Sequence, residues 1–150
     1  MIKYLLINKR QSFISMLNLS IVFMTNIIII ECSRSITRQQ EKTQQEISVQ
    51  QAYHLIRENK NNENFIIIDV RTPGEFSSGH IKNALNLNIS SDNFEAELEK
   101  LDKNKTYLFY CRIGVRSGRA LYMAKEMGFN RIYNMLGGML DWKKANHPTE

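Results

Sequence analysis

Two short apolar runs, Phe65-Ile66-Ile67-Ile68-Asp69-Val70 and Tyr107-Leu108-Phe109-Tyr110, constrain the fold more than any other feature of this 150-residue chain. Each is too short for a helix, rich in β-branched or aromatic side chains, and apolar at consecutive positions. That is the pattern of a strand buried on both faces of a parallel sheet. Helical patterns surround them. Ser48 can cap a helix that puts Val49, Ala52, Tyr53 and Ile56 on one face, and Ser91 or Asp92 one that carries Phe94, Leu98 and Leu101. A third helix follows the segment Arg112 to Gly118, runs to Met127 and stops at Gly128, a natural residue for a C-terminal cap. Shorter strands fit Ala84 to Ile89 and Arg131 to Asn134, and Gly137-Gly138 turns into a last helix containing Trp142. The alternation predicts an α/β fold with a mainly parallel central sheet and helices on both faces.

Composition sets the outer bounds. A chain of this length holds one domain with or without a tail. Two prolines and seven glycines exclude collagen-like or Pro/Gly-rich disorder, and two cysteines cannot staple a disulfide scaffold or fill a four-cysteine zinc site. The formal charge of +5 is unevenly spread. Residues 1 to 35 hold Lys3, Lys9, Arg10 and Arg34 against Glu31, which leaves 16 basic and 14 acidic residues for the rest. So even a balance offers no extended footprint for a phosphate backbone, and no nucleic-acid partner is expected.

Lys3, Lys9 and Arg10 precede an uncharged, largely apolar stretch from Gln11 to Ile30, the layout of a signal peptide, with Ser33 and Ser35 as small residues for cleavage after Ser35. Twenty residues also suffice for an N-terminal membrane anchor, although Asn18, Ser20, Thr25 and Asn26 interrupt the run. Cys32 faintly resembles the acylated cysteine of a lipobox, with Glu31 where that pattern wants a small residue. A buried helix of the fold itself is the plain alternative. Residues 36 to 46 are polar and without aromatics, which predicts a tether, and leaves 47 to 150 as the domain. The expectation is an exported protein that works outside the cytoplasm, released or held at a membrane by its N-terminus.

Position gives Cys111 its chemistry. Ligands of open α/β sheets bind beyond the carboxyl ends of the strands, and Cys111 ends one of the two most apolar strands. The chain must then turn into a helix, so backbone N–H groups between Arg112 and Ser117 can face the sulfur and favour thiolate. Six basic residues and no acidic one lie between Lys103 and Lys125, and Gly114 permits the positive φ that such a cradle needs. Helix N-termini and arginines of this kind lower a thiol to roughly 3.5 to 7.5. The plain alternative is a small buried hydrophobe that closes a strand. Asp69 and Arg71, at the neighbouring strand end, read as structural support, and Asp69 is an available partner for Arg116. His80 reads as a brace for its loop and Trp142 as core.

These residues resemble the rhodanese-like family of single-domain thiosulfate sulfurtransferases over about residues 47 to 148. Cys111-Arg112-Ile113-Gly114-Val115-Arg116-Ser117 is similar to that family's active-site loop. Asp69-Val70-Arg71, Glu75-Phe76, Gly79-His80-Ile81 and Ala84 resemble its upstream signature, and Gly137-Gly138 with Trp142 its closing one. Lys82-Asn83 stands where Pro-Gly is frequent, and Ile113 replaces a commoner small or polar residue. The resemblance implies a nucleophilic Cys111 and a substrate-binding loop of Arg112, Ile113, Gly114, Val115, Arg116 and Ser117. It further implies a small anionic sulfur donor such as thiosulfate, a cyanide or thiol acceptor, a Cys111 persulfide between them, and neither metal nor organic cofactor. A persulfide carrier or binding module is the alternative. A phosphatase or arsenate reductase would use a similar cradle, but places one more residue between cysteine and arginine than the four found here.

Overall fold

The computed structural model describes residues 43–150. Ten elements alternate along the chain: β1 (Thr43–Ile47), α1 (Val49–Glu58), β2 (Phe65–Asp69), α2 (Pro73–Ser77), β3 (Leu85–Asn86), α3 (Phe94–Glu99), β4 (Thr106–Tyr110), α4 (Val115–Glu126), β5 (Arg131–Met135) and α5 (Gly138–Lys144). The five strands form one parallel sheet in the order β1-β5-β4-β2-β3. After β4 the chain moves to one side of the sheet, and after β2 to the other. The carboxyl ends of β2 and β4 therefore flank a topological switch point, where an open α/β sheet has its crevice.

Both faces of the sheet are buried, as the apolar runs require. In β4, Leu108 and Tyr110 join one core cluster with Ala52 of α1 and with Met139 and Trp142 of α5. Tyr107 and Phe109 alternate onto the other face, against Phe94 and Leu98 of α3 and Ala120 and Ala124 of α4. Cys111 keeps the parity of Tyr107 and Phe109, so its side chain lies on the α4 side of the sheet. Trp142 is core, and its indole N–H donates to the Pro148 carbonyl at 3.0 Å.

Three expectations need correction. The polar segment read as a tether to residue 46 supplies β1, which pairs with β5 from Thr43↔Arg131 to Ile47↔Met135. Pairing uses the backbone, and at a sheet edge polar side chains are tolerated and blunt further pairing, so composition concealed the strand. The cap of α3 is Asn93, not Ser91 or Asp92. The Ser91 carbonyl accepts from Phe94 N–H in the preceding turn and its hydroxyl bonds Asn93, while Leu101 packs beyond the helix end. The strand expected over Ala84 to Ile89 is only Leu85–Asn86. The capping of α1 by Ser48 is as expected and forms a reciprocal box with Gln51. Asn83, at the Lys82-Asn83 departure, takes φ +62°, a left-handed conformation that asparagine tolerates better than most residues, so the turn survives without glycine. The expected signal peptide or anchor over 1 to 35, and the tether from 36 to 42, lie outside the described residues.

Candidate active site

Cys111 follows β4 directly and is 1% exposed. The next three residues turn the chain into α4, with Gly114 as its N-cap at φ +96° and no side-chain cap. Glycine is required there twice over. The left-handed φ disfavours a side chain, and a Cβ would come within 3.2 Å of Leu136 Cα and the Met135 carbonyl oxygen. The Gly114 N–H donates to Sγ at 3.2 Å.

The loop can present N–H groups to the sulfur because its carbonyls are satisfied elsewhere. Met139 N–H donates to the Cys111 carbonyl at 2.9 Å and Leu140 N–H to that of Arg112 at 3.0 Å. The Gly114 carbonyl accepts from Gly118 N–H at 3.0 Å, from the Ser117 hydroxyl at 3.1 Å and from Asn134 Nδ2 at 3.1 Å. Gly138 allows the close approach at φ +53°. A Cβ there would collide with the Cys111 carbonyl oxygen and reach within 2.6 Å of the Arg112 carbonyl carbon.

Burial alone would push the Cys111 thiol up. The Ser117 side chain and backbone, with the Ile113 and Gly114 N–H groups, outweigh it and hold the thiol below its ordinary value. The positive end of α4 acts in the same direction. Arg116 stands between two anions. It donates to Glu75 through Nη1 at 2.8 Å and Nη2 at 2.6 Å, and its charge also acts on the Cys111 sulfur. Its charge is reinforced first by the Glu75 bond, against the opposing effect of burial, and then by the charges of Glu75 and Cys111.

Glu75 is itself held by Thr72, whose N–H and hydroxyl reach Oε2 at 3.2 and 3.1 Å in a capping box at the start of α2. The bond from Arg116, opposed by desolvation and aided by Thr72, lowers the Glu75 carboxyl from 4.5 to about 2. A depressed carboxyl stabilises the fold fully above its unfolded value. That contribution is lost progressively as pH falls from about 4.5 through about 2.

Asp69 is therefore not the partner of Arg116. It is fully buried and fixes Arg71, whose Nη2 lies 2.6 Å from Oδ2 and whose Nε lies 2.9 Å from both carboxylate oxygens. Arg71 carries the constraint onward to the Gly79 carbonyl at 2.9 Å and sits 5.7 Å over the Tyr110 ring. His80 braces the same loop by stacking on Phe76, with Nδ1 3.1 Å from the Phe76 carbonyl.

Of the loop residues singled out in the sequence, Gly114, Arg116 and Ser117 gather at the sulfur, whereas Arg112, Ile113 and Val115 face solvent around it. Sequence reasoning missed Glu75 as the holder of Arg116, although Thr72-Pro73-Gly74-Glu75 has capping-box spacing. It also missed Asn134. The signal there was an amide side chain in an otherwise apolar strand end, where asparagine is disfavoured unless bonded.

The Rhodanese-like domain profile matches residues 48–145, and the chain belongs to that family. It is 35% identical over 104 residues to the thiosulfate sulfurtransferase GlpE of Coxiella burnetii, covering 69% of this chain and 91% of that one. A sulfurtransferase of Allochromatium vinosum is 30% identical over 86 residues, covering 57% and 78%. Among solved structures, a rhodanese-related protein of Thermoplasma volcanium aligns with a TM-score of 0.59 at 26% identity, covering 71% of this chain and 97% of that one.

The arrangement predicts that Cys111 ionises below the ordinary thiol value of about 8.5. Iodoacetamide alkylation rate against pH measures the midpoint. Arg116→Gln should raise it, because one cation beside the thiolate is gone. A wild-type midpoint at or above about 8.5 would show that burial prevails over the cradle.

Proposed function

We propose that this chain is a sulfurtransferase of the rhodanese type that carries sulfane sulfur on Cys111. The observation that carries the reading is the ring of inward N–H groups at a buried cysteine, with the Gly114 N–H on Sγ. Family membership and the printed activities of the two relatives support it.

Thiosulfate is the donor that best suits a small, positively polarised site. The Cys111 thiolate attacks the outer sulfur, a new S–S bond forms, the bond to the sulfonate sulfur breaks, and sulfite leaves with the bonding pair. Two negative charges enter and two leave, so the persulfide keeps the single charge of the thiolate and the same N–H groups serve it. Cyanide then takes the outer sulfur as thiocyanate, or a thiol takes it as a persulfide, and Sγ regains its electron pair. Arg116, fixed by Glu75, stabilises the anion on either side of the transfer. Arg112, exposed in the loop, attracts the incoming dianion.

Steady-state kinetics with thiosulfate and cyanide test this reading. Parallel double-reciprocal lines are expected, thiocyanate production in Cys111→Ser should fall to background, and hydrolysis of aryl phosphates should be negligible. Phosphatase turnover above sulfur transfer, or undiminished transfer in Cys111→Ser, contradicts it.

The place of action belongs to the same proposal. The basic start, the uncharged run Gln11 to Ile30 and the small residues Ser33 and Ser35 support export. Cell fractionation with N-terminal sequencing should find the protein outside the cytoplasm, processed or membrane-held. Full-length cytoplasmic protein beginning at Met1 contradicts export.

A further inference from the structure

The surface around Cys111 is more apolar than a site for thiosulfate and cyanide requires. Six large hydrophobic side chains are exposed among the described residues, and four of them border this site: Ile113 at 51%, Val115 at 64%, Leu136 at 44% and Leu140 at 43%. Ile113 and Val115 stand where the chain enters α4, Leu136 and Leu140 where it passes from β5 into α5, and the two segments are joined. Leu140 N–H donates to the Arg112 carbonyl at 3.0 Å, and Leu136 Cα backs directly onto Gly114. The four side chains therefore belong to one rim. Neither a small dianion nor cyanide gains anything from such a rim, whereas a protein segment does.

Charge defines the segment further. Arg112 and Arg119 are exposed at the same end of α4 and have no carboxylate partner among the described residues. Three carboxylates lie near the rim: Glu75 is engaged by Arg116, Asp141 by Lys144 at 2.9 Å, and Glu46 accepts from Asn134 Nδ2 at 3.3 Å. An unpaired cationic and apolar rim is complementary to an acidic and apolar partner. Depth adds a third constraint. Because Cys111 is 1% exposed, an acceptor sulfur on a flat surface cannot reach it.

We infer that the rim of Ile113, Val115, Leu136 and Leu140, with Arg112 and Arg119, docks a protein acceptor whose cysteine protrudes on a segment of apolar and acidic residues. The inference rests on the sulfur-transfer reading above and names the acceptor class for it. In the step, the acceptor thiol passes its proton to the outer sulfur of the anionic persulfide, and the thiolate so formed makes an S–S bond with that sulfur. The bond to Sγ breaks, Sγ leaves as thiolate, and the acceptor becomes a persulfide that keeps the proton. No outside oxidant or reductant takes part.

The test uses the full chain loaded with thiosulfate and freed of sulfite, with three synthetic acceptor peptides: Asp-Leu-Cys-Leu-Asp, Lys-Leu-Cys-Leu-Lys and Asp-Ser-Cys-Ser-Asp. Peptide persulfide is followed by mass, and cyanide is the control acceptor. Transfer to the acidic apolar peptide should be at least tenfold more efficient than to either of the others. The variant Leu136→Ser should lower that transfer severalfold, and Arg119→Gln likewise, with cyanide transfer unchanged in both. Equal transfer to the three peptides, preference for the lysine peptide, or an unaltered peptide rate in Leu136→Ser would overturn the inference while cyanide transfer persists. Sedimentation with phosphatidylglycerol vesicles that Leu136→Ser abolishes would assign the rim to lipid and also overturn it. Absence of cyanide transfer in the unaltered chain would instead remove the reading on which the inference rests.

Discussion

Cys111 ionises at its buried position because the peptide groups around it turn their N–H ends inward, and that orientation holds because their carbonyl ends are satisfied on the far side. Here the far side is supplied by the start of α5, by Asn134 of β5 and by the first turn of α4. Met139 and Leu140 draw back the carbonyls of Cys111 and Arg112, and Asn134, Ser117 and Gly118 hold that of Gly114. A charge-assisted hydrogen bond contributes about 1.5–3 kcal/mol, and one pKa unit corresponds to about 1.4 kcal/mol. Several such bonds are needed, because the first of them only offset the burial. This is why the two glycines matter. Gly114 and Gly138 sit where a side chain would push the loop away from the groups that orient it.

Two ion pairs around this cradle have separate tasks. Asp69–Arg71 is buried and joins the end of β2 to the Gly79 loop. Breaking such a pair on one side strands a charge, at a cost of about 3–5 kcal/mol. Arg116–Glu75 is half-buried, and its bidentate geometry points a fixed cation at the sulfur. Were Asp69 to serve Arg116 instead, Arg71 would be left buried without a counter-charge. The division keeps the structural pair dry and the pair beside the sulfur open to anions from solvent.

Much of this was legible in the residues. The β-branched run at Phe65–Asp69 and the aromatic run at Thr106–Tyr110 are the paired central strands, and Cys111 stands at the carboxyl end of one of them. The loop between Cys111 and Ser117 could be read because backbone turning, glycine placement and helix polarity are local. Long-range choices could not. β1 is held by backbone bonds to a strand almost ninety residues later, so its polar side chains say nothing of its pairing. The choice of Glu75 over Asp69 depends on which carboxylate is already occupied, and the role of Asn134 depends on β5 lying beside β4.

The most direct test of this account is the intact mass of the purified protein after brief exposure to thiosulfate and removal of excess reagent, followed by peptide mapping. The account predicts a gain of one sulfur atom on the peptide that contains Cys111, lost again on addition of cyanide. An unchanged mass, a sulfur atom carried elsewhere, or an adduct on Cys111 that cyanide does not remove would contradict it.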